Sequence, residues 1–279
     1  MPTWRLDLEY DGTSYRGWQI QHNAKTIQGE LEKAVRSLFE SKFELYGSGR
    51  TDAGVHAVGQ VAHLRVKELR TKVSSQQIHF GLNDLLPHNI NIVGVTNAPN
   101  DFHARHDAVA RYYLYQISTR RTAFGKNFAW WVKDRLNINA MAEAAQMLVG
   151  RHNFYSFTEV DKEKKVSTNV QVERSEIFVD GDLICFRIGA SHFLWKMVRR
   201  IVGMLVEVGR GNCSVESFGD LIKDRSNVPA EFTAPPAGLF LEKVLFRGDE
   251  PPNEIHAVMP LPHRSGNVDN VKTTAKRRK

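Results

Sequence analysis

The chain has 279 residues, 42% of them hydrophobic and 25% charged, which is ordinary for a soluble globular protein with room for two modest units and a core that needs no metal or disulfide staple. Its two cysteines, Cys185 and Cys213, exclude a zinc-finger set or a disulfide framework and fit a reducing cytoplasm; no apolar run approaches the ~18 residues of a membrane span, and the alternation that begins at Met1-Pro2-Thr3-Trp4-Arg5 leaves no signal peptide. The net charge of +7 is concentrated at one end: residues 264–279 hold six Lys/Arg against one Asp, whereas residues 1–263 hold 32 basic and 30 acidic side chains, so a nucleic-acid partner is compatible but the body itself is nearly balanced.

Trp4, Leu6, Leu8 and Tyr10 alternate with Arg5, Asp7 and Glu9 as a half-buried strand closed by Asp11-Gly12. Ile27, Leu31, Ala34/Val35 and Leu38/Phe39 then recur at helical spacing behind the cap Thr26. Phe43 to Tyr46 reads as a short strand, 47–59 as a Gly-rich loop, and Gln60 to Val66 as strand. Ser74 and Gln77 form a capping box for a helix that carries Ile78, Leu82 and Leu85/Leu86 and stops at Pro87; Ile90 to Thr96 is the next strand. This β-α-β-β-α-β order is that of a ferredoxin-like unit. The second half repeats it less cleanly. Arg111 to Ser118 is a tyrosine-rich strand, and Asn139 to Val149 a helix stopped by Gly150. A hairpin turns at Asp180-Gly181 between Val170–Val179 and Asp182–Ile188. A long apolar helix runs from Leu194 through Met197/Val198, Ile201, Leu205 and Val208. Ser214 to Arg225 is a shorter helix, and Leu239 to Phe246 a closing strand. The expected fold class is α+β: two tandem ferredoxin-like halves, residues 1–105 and 106–247, forming one extended, mostly antiparallel sheet with helices on one face. Residues 248–279 read as a Pro-rich, then basic tail without a core, expected to be disordered. Its basic end suits both a solubilising terminus and an arm grazing phosphates.

Three segments could carry chemistry. The loop Gly47-Ser48-Gly49-Arg50-Thr51-Asp52-Ala53-Gly54-Val55-His56-Ala57 is long for a connection between strands and gathers a carboxylate, a guanidinium and an imidazole within a few residues. It is not a P-loop, because Val55-His56 stand where Lys-Ser/Thr belong, nor a serine-nucleophile elbow. A Ser48, Asp52, His56 triad is disfavoured, since one short loop would have to supply all three roles. Composition alone would make Asp52 the cap of a local turn. Arg50, two residues before Asp52, shares its face in an extended stretch and is expected to lower its pKa and hold it ionised, as a nucleophile or base requires. In Arg111-Tyr112-Tyr113-Leu114-Tyr115, alternation puts Tyr113 and Tyr115 on one side, where they either fill a core or stack bases. In Phe193 to Gly203, Arg199 sits at the edge of the apolar stripe and needs an acidic partner, for which Asp52 is one candidate. His103 and His106 with Asp107 lack a clear third and fourth ligand, so no metal is expected.

On Gly49-Arg50-Thr51-Asp52-Ala53-Gly54-Val55-His56-Ala57, Tyr10-Asp11-Gly12-Thr13, Gly17-Trp18-Gln19, Phe102-His103-Ala104-Arg105, Arg111 to Tyr115, Phe193-Leu194 through Met197-Val198-Arg199, and Ala237-Gly238-Leu239, the chain resembles the TruA-type tRNA pseudouridine synthases. The resemblance spans about Arg5 to Phe246. It implies isomerisation of uridine in the anticodon arm of tRNA, at positions 38 to 40, by a cytoplasmic homodimer without cofactor or metal. It implies that Asp52 is the essential aspartate, Tyr113 the tyrosine that stacks on the target base, Arg199 the arginine paired with the aspartate, and Arg50 a loop arginine near the displaced nucleotide. Trp195-Lys196 depart from the smaller or more polar residues expected there, and the tail lies outside the pattern. The alternatives are a non-catalytic RNA-binding module on RNP-like sheets and, more distantly, a glycosidase, which would want two acids where the loop offers one.

Overall fold

A computed structural model describes residues 1–69, 72–159 and 167–262. Its elements in chain order are β1 (Thr3–Tyr10), α1 (Ile27–Leu38), β2 (Phe43–Gly47), β3 (His56–Val66), α2 (Ser75–Leu85), β4 (Ile90–Ala98), β5 (Ala110–Ser118), β6 (Trp130–Trp131), α3 (Ile138–Gln146), β7 (Gly150–Asn153), β8 (Asn169–Asp180), β9 (Leu183–Ala190), α4 (Met197–Arg210), α5 (Val215–Lys223), α6 (Val228–Glu231) and β10 (Leu239–Leu245). The caps read from the sequence are present. Thr26 Oγ1 accepts from the Gly29 N–H, and Ser74 and Gln77 cap each other reciprocally.

All ten strands join one mostly antiparallel sheet. Its main path is β4-β1-β3-β10-β5-β9-β8-β7; β2 pairs with β3, and β6 with β5. The first four strands lie in the order β4-β1-β3-β2, and β10-β5-β9-β8 repeat that order in the second half. The halves are joined where His56 and Ala57 of β3 pair in parallel with Phe240 and Leu241 of β10. This non-local pairing also explains why β3 begins at His56 when hydrophobic alternation suggests Gln60. The pairing of Asp180 with Leu183 makes Gly181-Asp182 the two-residue hairpin loop, one position later than the Asp180-Gly181 signal; Gly181, at φ +57°, takes the left-handed position.

Alternation settles the two faces of the sheet. Trp4, Leu6, Leu8 and Tyr10, with Tyr113, Tyr115, Ile184 and Phe186, share a core with the buried faces of α1 to α5. Residues of opposite parity, Leu114, Leu183 and Cys185, form a smaller core with Ala129 and Ala257. Ala257 belongs to the Pro-rich stretch that the sequence reads as a coreless tail, and the structure corrects that reading for residues 248–262. The stretch straps the outer face of the sheet. Ala257 N–H donates to Asp180 (2.8 Å), Met259 N–H to Gln116 Oε1 (3.0 Å), and Arg187 Nη2 to the Glu254 carbonyl (2.7 Å). Side chains of the sheet thus satisfy a backbone that forms no ladder, so neither helical nor strand periodicity marks the segment. The basic residues 264–279 lie outside the described residues.

Candidate active site

The loop between β2 and β3 is held open by its neighbours at almost every residue. The buried amide of Gln60 bonds both sides of Gly49, accepting from its N–H at 3.3 Å and donating to its carbonyl at 2.9 Å. Ser48 Oγ donates to the Ala104 carbonyl at 2.6 Å. Thr51 Oγ1 meets the Tyr10 hydroxyl at 2.9 Å, and the Thr51 carbonyl accepts from the Trp18 N–H at 3.0 Å. That last contact requires Gly17: its φ is +94°, and a Cβ there would stand 2.6 Å from the Thr51 oxygen. Arg111 extends its guanidinium to four carbonyls, those of Ala108, Ser191, Ser48 and Arg105, at 2.7 to 3.1 Å, locking the loop to β5 and to the 99–109 connection.

Ser48 and His56 are occupied structurally. His56 is buried, its Nδ1 accepts from the Gly12 N–H at 3.1 Å, and its Nε2 faces the Asn127 carbonyl at 2.9 Å. Asp11 also stands 3.1 Å from Nδ1, which would favour the imidazolium, but burial dominates and pushes the pKa down. The neutral Nε2–H tautomer satisfies both backbone partners. No Ser48-Asp52-His56 triad forms.

Asp52 stands on the wall of a cavity of about 690 Å³, a volume normal for a ligand site. The cavity runs between the β2–β3 loop, β5 and the start of α4. Arg50, Arg105, Arg111, Lys196 and Arg199 all line it, and Asp52 is the only acid among its lining residues. Arg199 Nη1 lies 3.5 Å from Asp52 Oδ2, while its Nε donates to the Ala234 carbonyl at 2.7 Å, which aims the guanidinium. The Trp195 side chain beside it also favours the ionised carboxylate. Trp195 and Lys196 reach this position because helix α4 starts at Met197, three residues later than the apolar stripe suggests. Lys196 ahead of it adopts the left-handed φ of +60°, the only non-glycine residue in positive φ among those described.

Two expectations for Arg50 are corrected. It is exposed and lines the cavity, but it makes no ion pair with Asp52; the paired guanidinium comes from Arg199, 147 positions along the chain. The pKa of Asp52 is raised, not lowered. Burial is the largest influence and outweighs Arg199, Lys196 and the Trp195 hydrogen bond, which all act in the opposite direction. Tyr113 lines the same cavity, 7% exposed, with its ring edge-to-face against Phe193 at 4.9 Å; burial raises its pKa, with Tyr10 and Asp52 adding to the rise, so the phenol is neutral. Asp52, Tyr113, Arg50 and Arg199 are thereby brought into one cavity. Trp195, Gln60 and the Arg111 clamp were not legible as site residues, because each acts through a contact between segments distant in sequence. His103, His106 and Asp107 cluster, yet no group of three or more described His, Cys, Asp or Glu side chains is placed to hold a metal ion. Among the described residues no helix is long and apolar enough to cross a membrane.

The chain is similar to known proteins along most of its length. The family profile described as tRNA pseudouridine synthase matches residues 8–107 and 144–247. A tRNA pseudouridine synthase A of Rhodopseudomonas palustris (strain BisA53) is 41% identical over 247 residues, which cover 88% of this chain and 99% of the relative. Proteins of the same name from Afipia carboxidovorans and Brachyspira hyodysenteriae are 39% and 37% identical, each over 88% of this chain and 99% and 98% of their own. With the profile spanning both halves and the relatives matched almost end to end, the chain belongs to the tRNA pseudouridine synthase family.

Proposed function

We propose that this chain isomerises uridine to pseudouridine in the anticodon arm of tRNA, at positions 38, 39 and 40, with Asp52 as nucleophile or base. Membership of the family makes it an isomerase acting on tRNA uridines. The observation that carries the rest is a single carboxylate set among five cationic side chains in one cavity. The N1–C1′ bond must break, the uracil must turn, and C5 must join C1′ while the C5 proton leaves to solvent and N1 gains one. This balance calls for one ionised carboxylate at the sugar or the base, and for nothing redox. A glycosidase would want two acids at a set separation, and the lining offers one.

On this reading the target nucleotide leaves its stack at a cost of a few kcal/mol, offset by contact with the Tyr113 ring and by phosphate contacts with the arginines. Arg199 orients Asp52 and favours its ionised form, and Arg50 takes the phosphate side of the displaced nucleotide. The fold is read as two ferredoxin-like halves, residues 1–105 and 106–247, supported by the repeated strand order in the sheet. A cytoplasmic homodimer without cofactor completes the reading, on the strength of the resemblance. Nucleoside analysis of tRNA incubated with the protein tests it. New pseudouridine at 38 to 40 is expected; RNA binding without any pseudouridine would favour a non-catalytic RNA-binding module.

Two further results are expected. Tyr113→Phe keeps more activity than Tyr113→Leu, because the ring and not the hydroxyl makes the contact; equal activities of the two variants would remove stacking from the account. The acid limb of kcat/KM for the wild type lies above the ordinary aspartate range, since burial raises the pKa of Asp52 and the ionised form is the active one. Arg199→Leu removes a group that lowers that pKa, so the limb moves to still higher pH. A limb that stays in place, or moves down, would show that Arg199 does not act on Asp52.

A further inference from the structure

We infer that Tyr46 and His106 form a second nucleobase subsite in the same cavity, a ledge that stacks an unpaired base flanking the displaced uridine. The inference rests on reading the cavity as an RNA site, and it adds a recognition element that the chemistry at Asp52 does not use.

Tyr46 lies near the end of β2, where alternation buries Leu45 and leaves Tyr46 outward and 51% exposed. An exposed tyrosine on a strand is unremarkable alone. This one is held from below. Its ring is stacked on His103 at 5.7 Å with 28° between planes, and it lies 5.5 Å from buried His63. His103 contacts His63 at 4.6 Å and His106 at 4.2 Å. His63 is itself anchored, accepting from the Ala104 N–H at 3.1 Å, and the His103 ring nitrogen accepts from the Arg105 N–H at 3.2 Å. The rings are therefore ordered before any ligand arrives, and a base landing on them meets a prepared surface.

Tyr46 and His106 both line the cavity that holds Asp52, and Arg50 and Arg105 line it too, exposed and with no side-chain ion pair among the described residues. Aromatic faces beside unpaired arginines are the combination that binds single-stranded nucleic acid, base to ring and phosphate to guanidinium. Burial keeps the supporting imidazoles neutral: it holds His63 down at about 4 and lowers His103, on which His106 acts in the same direction. The rings of His63 and His103 thus support the ledge as uncharged π-faces. The ligand this fits is an unpaired nucleotide of the substrate RNA, next to the one that enters toward Asp52 and Tyr113.

The test uses the full chain and a tRNA stem-loop with single abasic positions introduced on either side of the target uridine. Pseudouridine formation by the wild type on the intact RNA is measured first. Its absence would sink the functional reading, and RNA affinity measured by anisotropy would then decide the ledge alone. Tyr46→Ala is expected to raise KM and the dissociation constant by about 5- to 50-fold, a larger factor than any fall in kcat, while Tyr46→Phe stays within about twofold of wild type. One abasic position should weaken binding to the wild type by a similar factor and have no further effect on Tyr46→Ala, because both remove the same contact. Affinity of Tyr46→Ala within twofold of wild type, or factors that multiply at every abasic position, would overturn the proposal. Abasic substitution in the wild-type complex is read without altering the protein, so the result stands even if a Tyr46 variant folds poorly.

Discussion

Tritium release from tRNA carrying 5-labelled uridine is expected to fall by more than about 10³-fold when Asp52 is replaced by Asn, while tRNA affinity stays within about tenfold of wild type. The two halves of this result have different causes. Turnover needs a charged oxygen at the reacting nucleotide, and no other acid lines the cavity to stand in for it. On the proposed reading affinity comes chiefly from phosphate contacts with cationic side chains such as Arg50 and Arg105, which line the cavity and which the substitution leaves in place. Asparagine keeps the size of the side chain and an oxygen that can accept from Arg199 and Trp195, so the loop has no reason to move. Normal tritium release by the variant would remove Asp52 from the chemistry, and a parallel collapse of binding would make its role structural.

The same substitution carries a stability sign. A carboxyl whose pKa is raised by folding binds its proton more tightly in the native state, so its contribution to stability is present at low pH and is lost as pH rises through the folded pKa. Where it is ionised, the desolvated Asp52 is therefore a burden on the fold, which the proposed chemistry would explain. Asp52→Asn should unfold at the same temperature as wild type or a higher one, the pattern of a group held for function against stability.

What could be read from the sequence follows the range of the physics involved. Strand alternation, helix spacing and caps are local, and Thr26, Ser74 with Gln77, and the β5 tyrosines all sit where local rules put them. The register between halves is not local: the parallel contact of His56 and Ala57 with β10 joins residues 184 positions apart, and with it goes the true start of β3. The site divides the same way. The loop stands out because glycine-rich connections of that length between strands are unusual, whereas the choice of Asp52 within it comes from the family resemblance. Arg199 stood out because a charge at the edge of an apolar helix needs a partner. Arg50 is the exception: it stands only two positions before Asp52 in the sequence, yet no ion pair joins them, and the paired guanidinium is that of Arg199. The net pKa direction of Asp52 is not legible in the sequence either: it depends on how deeply the folded chain buries the carboxylate, which only the packed structure fixes.

The outer face carries the other large expected effect. Arg187 is 1% exposed at the centre of β9 and is held by the Glu242 carboxylate through Nε (2.8 Å) and Nη2 (2.7 Å), by Glu176 through Nη1 (3.1 Å), and by the Glu254 carbonyl of the strap (2.7 Å). A guanidinium suits this place because its planar fork serves three acceptors at once, and lysine could not. Arg187→Met keeps the volume and deletes the donors. It leaves Glu242, 12% exposed, as a carboxylate without its counter-charge, and it releases the strap at Glu254. Removing one partner of a buried pair costs about 3–5 kcal/mol, far above the 0–1 kcal/mol of exposed pairs such as Lys223–Asp220. Urea unfolding should therefore show a lowered midpoint for Arg187→Met, and Arg187→Met with Glu242→Leu should recover part of the loss, because the second change removes the stranded charge. A single variant within 1 kcal/mol of wild type, or a double variant less stable than Arg187→Met, would show that the network is water-screened and that the strap is held by its bonds to Asp180 and Gln116 and by the apolar contacts around Ala257.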